Sequence, residues 1–152
     1  MTGKPGIFGE FIQIMNQLFF NILPDEQKKV YEILKGKEWI NSYYLAGGTG
    51  LALQLGHRLS KDFDFFSPLD FSTPELVQML NELGEFQKHS EDINTLHGSL
   101  NGTRLSFIGF KYPVIQDKIN DHAIRIAGLG DIAAMKLSAV LSRGIKKDFI
   151  DL

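Results

Sequence analysis

Two aspartates separated by one residue are the side chains in this sequence best suited to metal chemistry. Asp62 and Asp64 lie in residues 61–66, where acidic and aromatic residues alternate. This alternation predicts a strand with both carboxylates on one face and Phe63 and Phe65 in the core. Mg²⁺ prefers hard oxygen ligands and commonly binds one or two carboxylates together with substrate phosphates. Taken alone, the run favours a half-exposed strand with solvated acids.

A glycine-rich turn precedes this acidic pair. Residues 43–46 form a short β-prone run that ends at Gly47, Gly48 and Thr49, and a helix-permissive stretch follows. The two glycines allow close backbone approach, and a helix that begins near Thr49 directs free amides toward an anion such as a triphosphate. Taken alone, the turn equally fits a connection that binds nothing. The order of strand, turn, helix and acidic strand favours a nucleotide site, because adjacent strands bring both halves together.

The rest of the pattern predicts helices around a small sheet. Apolar residues at helical spacing, capping residues and turn signals mark these elements. The predicted helices are Phe8–Leu23, Asp25–Leu34, Thr73–Gly84 with Thr73 as N-cap, and Asp131–Leu141 with Asp131 as N-cap, after which Gly144 separates the final residues. The predicted strands include a meander within residues 86–110, with a hairpin at Asn101-Gly102, and a short strand at Ile124–Ile126. The predicted fold class is therefore α/β, of the α+β kind.

Length and composition predict one domain over residues 1–152. With 43% hydrophobic residues, a chain of 152 residues can bury a continuous core. Its predicted parts are N-terminal helices in residues 1–38, a sheet core in residues 42–127 and C-terminal helices in residues 128–152. The N-terminal residues fit neither a signal peptide nor a spanning helix, which predicts a soluble protein with no membrane partner. The absence of cysteine suits a reducing cytoplasm and excludes thiolate metal sites.

Charge and histidine placement limit the predicted partners. The formal net charge of -2 provides no global positive field that would attract nucleic acid. The best local basic candidate is Arg143, Lys146 and Lys147, and a short run of this kind also fits a solvated helix face. The four histidines lie on separate predicted elements, so the sequence predicts no zinc site.

The joint pattern resembles a known family. Gly47-Gly48-Thr49 followed by Asp62-x-Asp64 resembles the polymerase-beta nucleotidyltransferase signature. A fuller string is similar to the AbiEii/AbiGii toxin family of nucleotidyltransferases: Leu45-Ala46-Gly47-Gly48-Thr49, Leu51, Leu53, His57-Arg58, Ser60, Asp62, Asp64 and Phe66. Residues 131–139, Arg143-Gly144 and residues 147–152 are similar to that family's later motifs. The resemblance spans roughly residues 42–152.

The resemblance implies a nucleotidyltransferase fold, with a small mixed sheet flanked by helices, and a set of site residues. Asp62 and Asp64 would hold Mg²⁺ or Mn²⁺. The implied phosphate-binding residues are Gly47, Gly48, Thr49, Arg58 and Lys61. Lys136 and Asp148 would belong to the same cleft, where Lys136 neutralises triphosphate charge. From the residues alone, Lys136 fits an exposed helix lysine, Asp148 a surface pair with a lysine, and Arg58 either a phosphate contact or an ion pair with a nearby acid.

The implied activity is transfer of a nucleoside monophosphate from a nucleoside triphosphate to an acceptor hydroxyl. The acceptor would be RNA, such as tRNA, or protein, and the setting would be a toxin and antitoxin pair with a cognate antitoxin as partner. The chain ends at Leu152, inside a helix of the family pattern, so a C-terminal segment is expected to be missing.

One departure from the superfamily pattern concerns a third carboxylate. Active members usually place one on a later strand, yet no Asp or Glu occurs between Asp92 and Asp117, and the expected strand carries Ser106. An unactivated hydroxyl is too weakly basic to replace a carboxylate as a base. Two alternatives therefore stay open: a nucleotide-binding or partner-binding module that has lost catalysis, and a purely structural domain.

Overall fold

The computed structural model describes Gly6, residues 17–112 and residues 119–150, the last six as backbone only. Four α-helices are present in this part of the chain: α1 (Asp25–Lys35), α2 (Gly47–Leu55), α3 (Thr73–Leu83) and α4 (Leu129–Ile150). Seven strands accompany them: β1 (Tyr44–Ala46), β2 (Phe63–Ser67), β3 (Phe86–Asp92), β4 (Thr95–Leu100), β5 (Thr103–Gly109), β6 (Ile119–Asp121) and β7 (Ile124–Ile126). Short 3-10 helices lie at Phe20–Ile22 and Glu38–Ser42.

The seven strands form one mixed sheet in the order β3-β4-β5-β2-β1-β7-β6. Strand β2 is antiparallel to β1 and parallel to β5, and β1 is parallel to β7. At the turn between β4 and β5, Asn101 and Gly102 have φ values of 49° and 83°, as a two-residue turn of type I′ requires. The predicted hairpin and α+β fold class are confirmed.

The two faces of the sheet have different environments. On one face, apolar side chains of the sheet pack against α1 and α3 in the main core, where Phe65 and Phe107 stack with ring centroids 5.2 Å apart. On the other face, a smaller cluster joins Tyr44 and Ala46 of β1 to Ile132 of α4. The adjoining strands β2, β5 and β4 therefore present their side chains on this second face to a cleft.

Several element boundaries differ from the prediction. Helix α1 matches it to within one residue, whereas most of the predicted helix Phe8–Leu23 lies outside the described residues, and its described end contains only the 3-10 helix Phe20–Ile22. Helix α4 begins at Leu129 and continues through Gly144. A glycine inside a helix costs about 1 kcal/mol relative to alanine, which is too little to end a helix on its own. Strand β6 was not predicted.

The N-terminus of α3 is capped by the residue before the predicted one. The hydroxyl of Ser72 accepts a hydrogen bond from the backbone N–H of Glu75 at 3.3 Å. Thr73 is the first helical residue, and its hydroxyl donates to Glu91 at 2.6 Å.

In the part of the chain that is described, no helix has the length and apolar character needed to cross a bilayer. The single-domain organisation remains a prediction.

Candidate functional site

The glycine turn packs directly against two predicted site residues. Gly47, the first residue of α2, has φ +63, and a Cβ added there would lie 2.5 Å from Oδ2 of Asp64. A Cβ added at Gly48 would lie 2.5 Å from Nη2 of Arg58. Because neither glycine has a side chain, a carboxylate and a guanidinium both lie against the first turn of α2. Free backbone amides at this end of the helix favour an anion.

Thr49 is buried and holds the backbone of the first aspartate. Its hydroxyl lies 2.5 Å from the hydroxyl of Ser60 and also donates to the carbonyl oxygen of Asp62. A hydroxyl has one hydrogen, so Ser60 donates to Thr49 while Thr49 donates to Asp62. The side chain of Thr49 is therefore engaged within the protein, and a phosphate contact at this position would be made by the backbone amide.

This hydrogen-bond arrangement predicts the effect of Thr49→Val. The substitution keeps the shape but removes a buried hydroxyl that is 1% exposed. We expect the free energy of unfolding, measured by urea denaturation, to fall by about 1–3 kcal/mol, because the buried Ser60 hydroxyl and the Asp62 carbonyl both lose a hydrogen bond. Thr95→Val is the matched control, since the Thr95 hydroxyl makes an exposed 3.3 Å bond that water replaces. Equal stability of the two variants would contradict the structural role of Thr49.

The two aspartates differ in their environments. Strand β2 begins at Phe63, so Asp62 precedes the strand and is exposed, whereas Asp64 projects from β2 and is half-buried. Burial raises the pKa of the Asp64 carboxyl, and the nearby Asp62 carboxylate raises it further, although His97 and a hydrogen bond from Ser106 act in the opposite direction. Two carboxylates held close in a partly dry site are stabilised by a cation.

The donor set suits a cation that is also bound by the substrate. Among the described residues, no group of three or more His, Cys, Asp or Glu side chains is arranged to hold a metal. Asp62 and Asp64 line one cavity together and supply hard oxygens. Mg²⁺ bound through one or two carboxylates completes its coordination with water and substrate phosphates. The pair therefore fits a metal that arrives with a nucleotide.

A cleft of about 710 Å³ separates the exposed part of the sheet from α4. Gly47, Gly48, Arg58 and Asp64 line one side, and Lys136 of α4 lines the other. Among the described residues, neither Arg58 nor Lys136 lies within ion-pair distance of an acid. The alternative that Arg58 forms a structural ion pair is therefore not observed. The cleft has the size of a small-ligand pocket and has positive charge on opposite walls.

Three predicted site residues, Thr49, Lys61 and Asp62, do not line this cleft, and a fourth, Asp148, has a side chain outside the described residues. Lys61 is exposed and lines neither this cleft nor the cavity beside Asp62. Asp148 lies on α4, but its side chain is outside the described residues. Of the local basic group, Arg143 lines the cleft, while the side chains of Lys146 and Lys147 are likewise not described. The roles of Lys61 and Asp148 remain predictions.

The residue opposite Asp64 is the serine noted in the sequence. In the parallel pairing of β2 with β5, Asp64 is in register with Ser106. In the antiparallel pairing of β4 with β5, Ser106 is in register with His97, and the His97 Nδ1 atom lies 2.8 Å from the Ser106 hydroxyl. The position where the superfamily pattern expects a third carboxylate thus carries a serine that is hydrogen-bonded to a histidine.

His97 was not predicted as a site residue, although the sequence carried a signal for it. A two-residue turn at Asn101-Gly102 pairs Leu100 with Thr103, and the same register pairs His97 with Ser106. If Ser106 is taken as the position where the superfamily carries its third carboxylate, this register identifies His97 as the neighbouring residue on β4. Asp64 lies beside Ser106 because β2 pairs with β5 in parallel, and no turn sequence predicts that pairing.

Three aromatic residues line the cleft and were not predicted as site residues, although Phe66 belongs to the string that resembles the family. The rings of Phe66 and Phe110 have centroids 6.0 Å apart, and those of Phe110 and Tyr112 are 5.1 Å apart. All three residues line the cleft, and Tyr112 is 68% exposed. Exposed aromatic faces in a cleft can stack on a nucleobase.

The mixed sheet, the glycine turn at the start of α2 and the aspartate beside it together define a nucleotidyltransferase-type domain. The chain belongs to the family described as nucleotidyl transferase AbiEii toxin, type IV toxin–antitoxin system, whose family model matches residues 31–152. An uncharacterised protein of Aquifex aeolicus (strain VF5) is 39% identical over 134 residues, a match that covers 86% of this chain and 65% of that protein. The chain therefore spans less than two thirds of the length of this relative.

Proposed function

We propose that this chain transfers a nucleoside monophosphate from a nucleoside triphosphate to an acceptor hydroxyl. The observation that supports this function is the packing of Asp64 against the glycine turn, with Arg58 and Lys136 on the same cleft. A carboxylate suited to a metal, free helix amides and two cations without an acidic partner among the described residues match, within one cleft, the charge distribution of a metal-bound triphosphate.

Each group would contribute by positioning or by charge. The amides of Gly48 and Thr49 and the guanidinium of Arg58 bind the phosphates, because guanidinium and helix N-termini suit oxyanions. Lys136, from the opposite wall, stabilises the charge that develops on the leaving pyrophosphate. Asp62 and Asp64 would hold Mg²⁺ or Mn²⁺, which supplies charge stabilisation at the transferred phosphoryl group when bound. Catalysis of this kind depends on alignment of the reacting atoms.

The nucleobase would lie on the aromatic group formed by Phe66, Phe110 and Tyr112. These rings line the same cleft as the phosphate-binding turn. Stacking on a base contributes about 1–3 kcal/mol and tolerates any base, because every base has a π-face.

The family membership supports a biological setting. We propose that the chain acts in the cytoplasm as the toxin of a toxin–antitoxin pair, with a cognate antitoxin as partner and RNA, such as tRNA, or protein as the acceptor. Arg143 adds positive charge to the cleft that a phosphate-bearing acceptor would use.

A second candidate function is nucleotide binding without transfer. Ser106, in register with Asp64, stands where active members of the superfamily usually carry a carboxylate. The glycine turn, Arg58, Lys136 and both aspartates are present with serine at position 106, so binding would persist after loss of turnover. Metal-dependent nucleotide binding without pyrophosphate release in the presence of any acceptor would support this second function.

The first test is calorimetric titration of each nucleoside triphosphate with and without Mg²⁺, for the wild type and the Asp62→Ala/Asp64→Ala variant. We expect wild-type binding that requires Mg²⁺ and is lost in the double variant, because the carboxylates and the phosphates share the metal. Asp92→Ala is a control that removes an exposed acid at the end of β3. If the wild type binds no triphosphate with Mg²⁺, both candidate functions are wrong for this chain.

A further inference from the structure

The exposed face of the sheet carries a second cavity, of about 330 Å³, beside the cleft. Asp62, His89 and Arg104 line it but do not line the cleft. Asp64, Ser106 and His97 line both spaces. On the proposed function, the cleft holds the triphosphate, so the second cavity is the route by which an acceptor hydroxyl reaches the α-phosphorus. The three shared residues then lie where the acceptor and the nucleotide meet.

Asp64, Ser106 and His97 are in register on strands β2, β5 and β4 and form a row across the sheet. When Asp64 is ionised, the hydrogen bonds along this row have only one consistent direction. An ionised Asp64 accepts hydrogen bonds but cannot donate one, so an interaction between Asp64 and its strand neighbour Ser106 directs the single hydroxyl hydrogen of Ser106 toward Asp64. The 2.8 Å bond between Ser106 and His97 must then be donated by Nδ1–H of His97. A neutral imidazole with its hydrogen on Nδ1 has a free lone pair on Nε2. This arrangement uses Nδ1 of His97 as the donor and leaves Nε2 as the nitrogen that can accept a proton, on a residue that lines both cavities.

We propose that His97 is a further catalytic residue, which accepts the proton of the attacking hydroxyl in place of the carboxylate absent from position 106. In this step the O–H bond of the acceptor breaks as Nε2 takes the proton, and the acceptor oxygen forms a bond to the α-phosphorus. The bond from that phosphorus to the bridging oxygen breaks, and pyrophosphate leaves with the bonding electrons. The imidazolium then returns its proton to solvent.

The neighbouring groups are less suited to this role. Ser106 is in the correct position, but an unactivated hydroxyl is a weak base. Asp62 and Asp64 are committed to the metal on the proposed function. His89 lies on the edge strand β3, where its Nε2 atom is 3.4 Å from the Ser99 hydroxyl, and it does not line the nucleotide cleft. His97 is the imidazole shared by both spaces among the described residues.

The hydrogen-bond direction can be tested without any activity. Nitrogen NMR of protein labelled with ¹⁵N-histidine, recorded where the imidazoles are neutral, should show the His97 hydrogen on Nδ1. Ser106→Ala should remove this preference. Finding the hydrogen of His97 on Nε2 in the wild type would overturn the proposal, because the ring nitrogen not bonded to Ser106 would then be a donor. This result does not depend on nucleotide transfer.

The catalytic role is tested with His97→Asn, because the Asn amide can still donate to Ser106 but has no basic nitrogen. We expect this variant to bind triphosphates as the wild type does but to transfer label from α-³²P nucleotides to mixed tRNA or protein about 10²–10⁴-fold more slowly. His122→Asn is the matched control, since His122 is exposed in the β6–β7 turn. His97→Asn/Ser106→Asp should recover transfer, because it restores a carboxylate base.

The outcomes separate this inference from the proposed function. Unchanged transfer by His97→Asn overturns the role of His97 but leaves the transferase function intact. Wild-type protein that binds triphosphates yet transfers nothing to any acceptor overturns both and supports the binding module. Loss of triphosphate binding in His97→Asn would show that the residue maintains the cleft, which also contradicts a role confined to proton transfer.

Discussion

Asp64→Asn is expected to abolish metal-dependent nucleotide binding and, at the same time, to stabilise the metal-free protein. The first effect follows from the loss of a charged metal ligand. Metal-ion stabilisation contributes several kcal/mol, and each 1.36 kcal/mol is a factor of ten, so we expect triphosphate binding with Mg²⁺ to weaken by about two orders of magnitude or more. Calorimetry under the conditions used for the wild type measures this loss.

The second effect follows from the sign of the pKa shift. Burial and the nearby Asp62 carboxylate raise the folded-state pKa of Asp64 above its ordinary value of 3.8. A raised carboxyl pKa contributes stability below the unfolded-state pKa, and this stability is lost as the pH rises through the folded-state pKa. At neutral pH the ionised side chain therefore destabilises the metal-free fold. The neutral amide of Asp64→Asn removes that cost, while its oxygen can still accept a hydrogen bond from Ser106.

Urea denaturation in a chelator, repeated across acidic and neutral pH, measures this stability difference. We expect the Asp64→Asn variant to be the more stable at neutral pH, and the difference to shrink at pH values below 3.8. Asp70→Asn removes the same unit of charge and should act in the opposite direction, because Lys111 and Asn94 lower the pKa of the exposed Asp70. A wild type more stable than Asp64→Asn in chelator at neutral pH would contradict the assigned environment of Asp64.

Elements that depend on local signals were predicted well. The charged first turn of α1 and its apolar spacing lie within eleven residues, and the Asn101-Gly102 hairpin is encoded by the turn residues themselves. The glycine turn and the acidic strand were also recognised, because each depends on a few adjacent residues. The sequence pattern predicted only that glycine at position 47 allows close backbone approach. The structure gives two reasons for glycine there, because its φ is positive and Asp64 lies against it.

Contacts between residues far apart in sequence were not predicted. The parallel pairing of β2 with β5 joins Asp64 to Ser106 across 41 intervening residues, which include α3 and two strands. No periodicity within either strand encodes that choice of neighbour. The hydrogen bond from the Thr49 hydroxyl to Asp62 was not predicted either. A threonine after two glycines fits a phosphate-binding turn as well as a structural one. The specific roles of the site residues remain proposals.

Gly47→Ala is expected to produce the largest loss of function from the smallest added group. The new Cβ would lie 2.5 Å from Oδ2 of Asp64, a distance that requires the carboxylate or the turn to move. Displacing a catalytic group by about 1 Å costs about a hundredfold in rate, so we expect transfer to fall by at least about that factor. The positive φ at residue 47 adds about 1–2 kcal/mol of strain for a residue with a side chain.

Gly102→Ala separates the two causes of this loss. Gly102 also has a positive φ, of 83°, but nothing lies within 4 Å of the added Cβ, and the residue is in the β4–β5 turn. Both variants should therefore unfold at lower urea concentration, while only Gly47→Ala should lose metal-dependent triphosphate binding in calorimetry. If Gly47→Ala binds triphosphates like Gly102→Ala, then contact between the turn and Asp64 does not organise the site, and the positive φ alone explains the glycine.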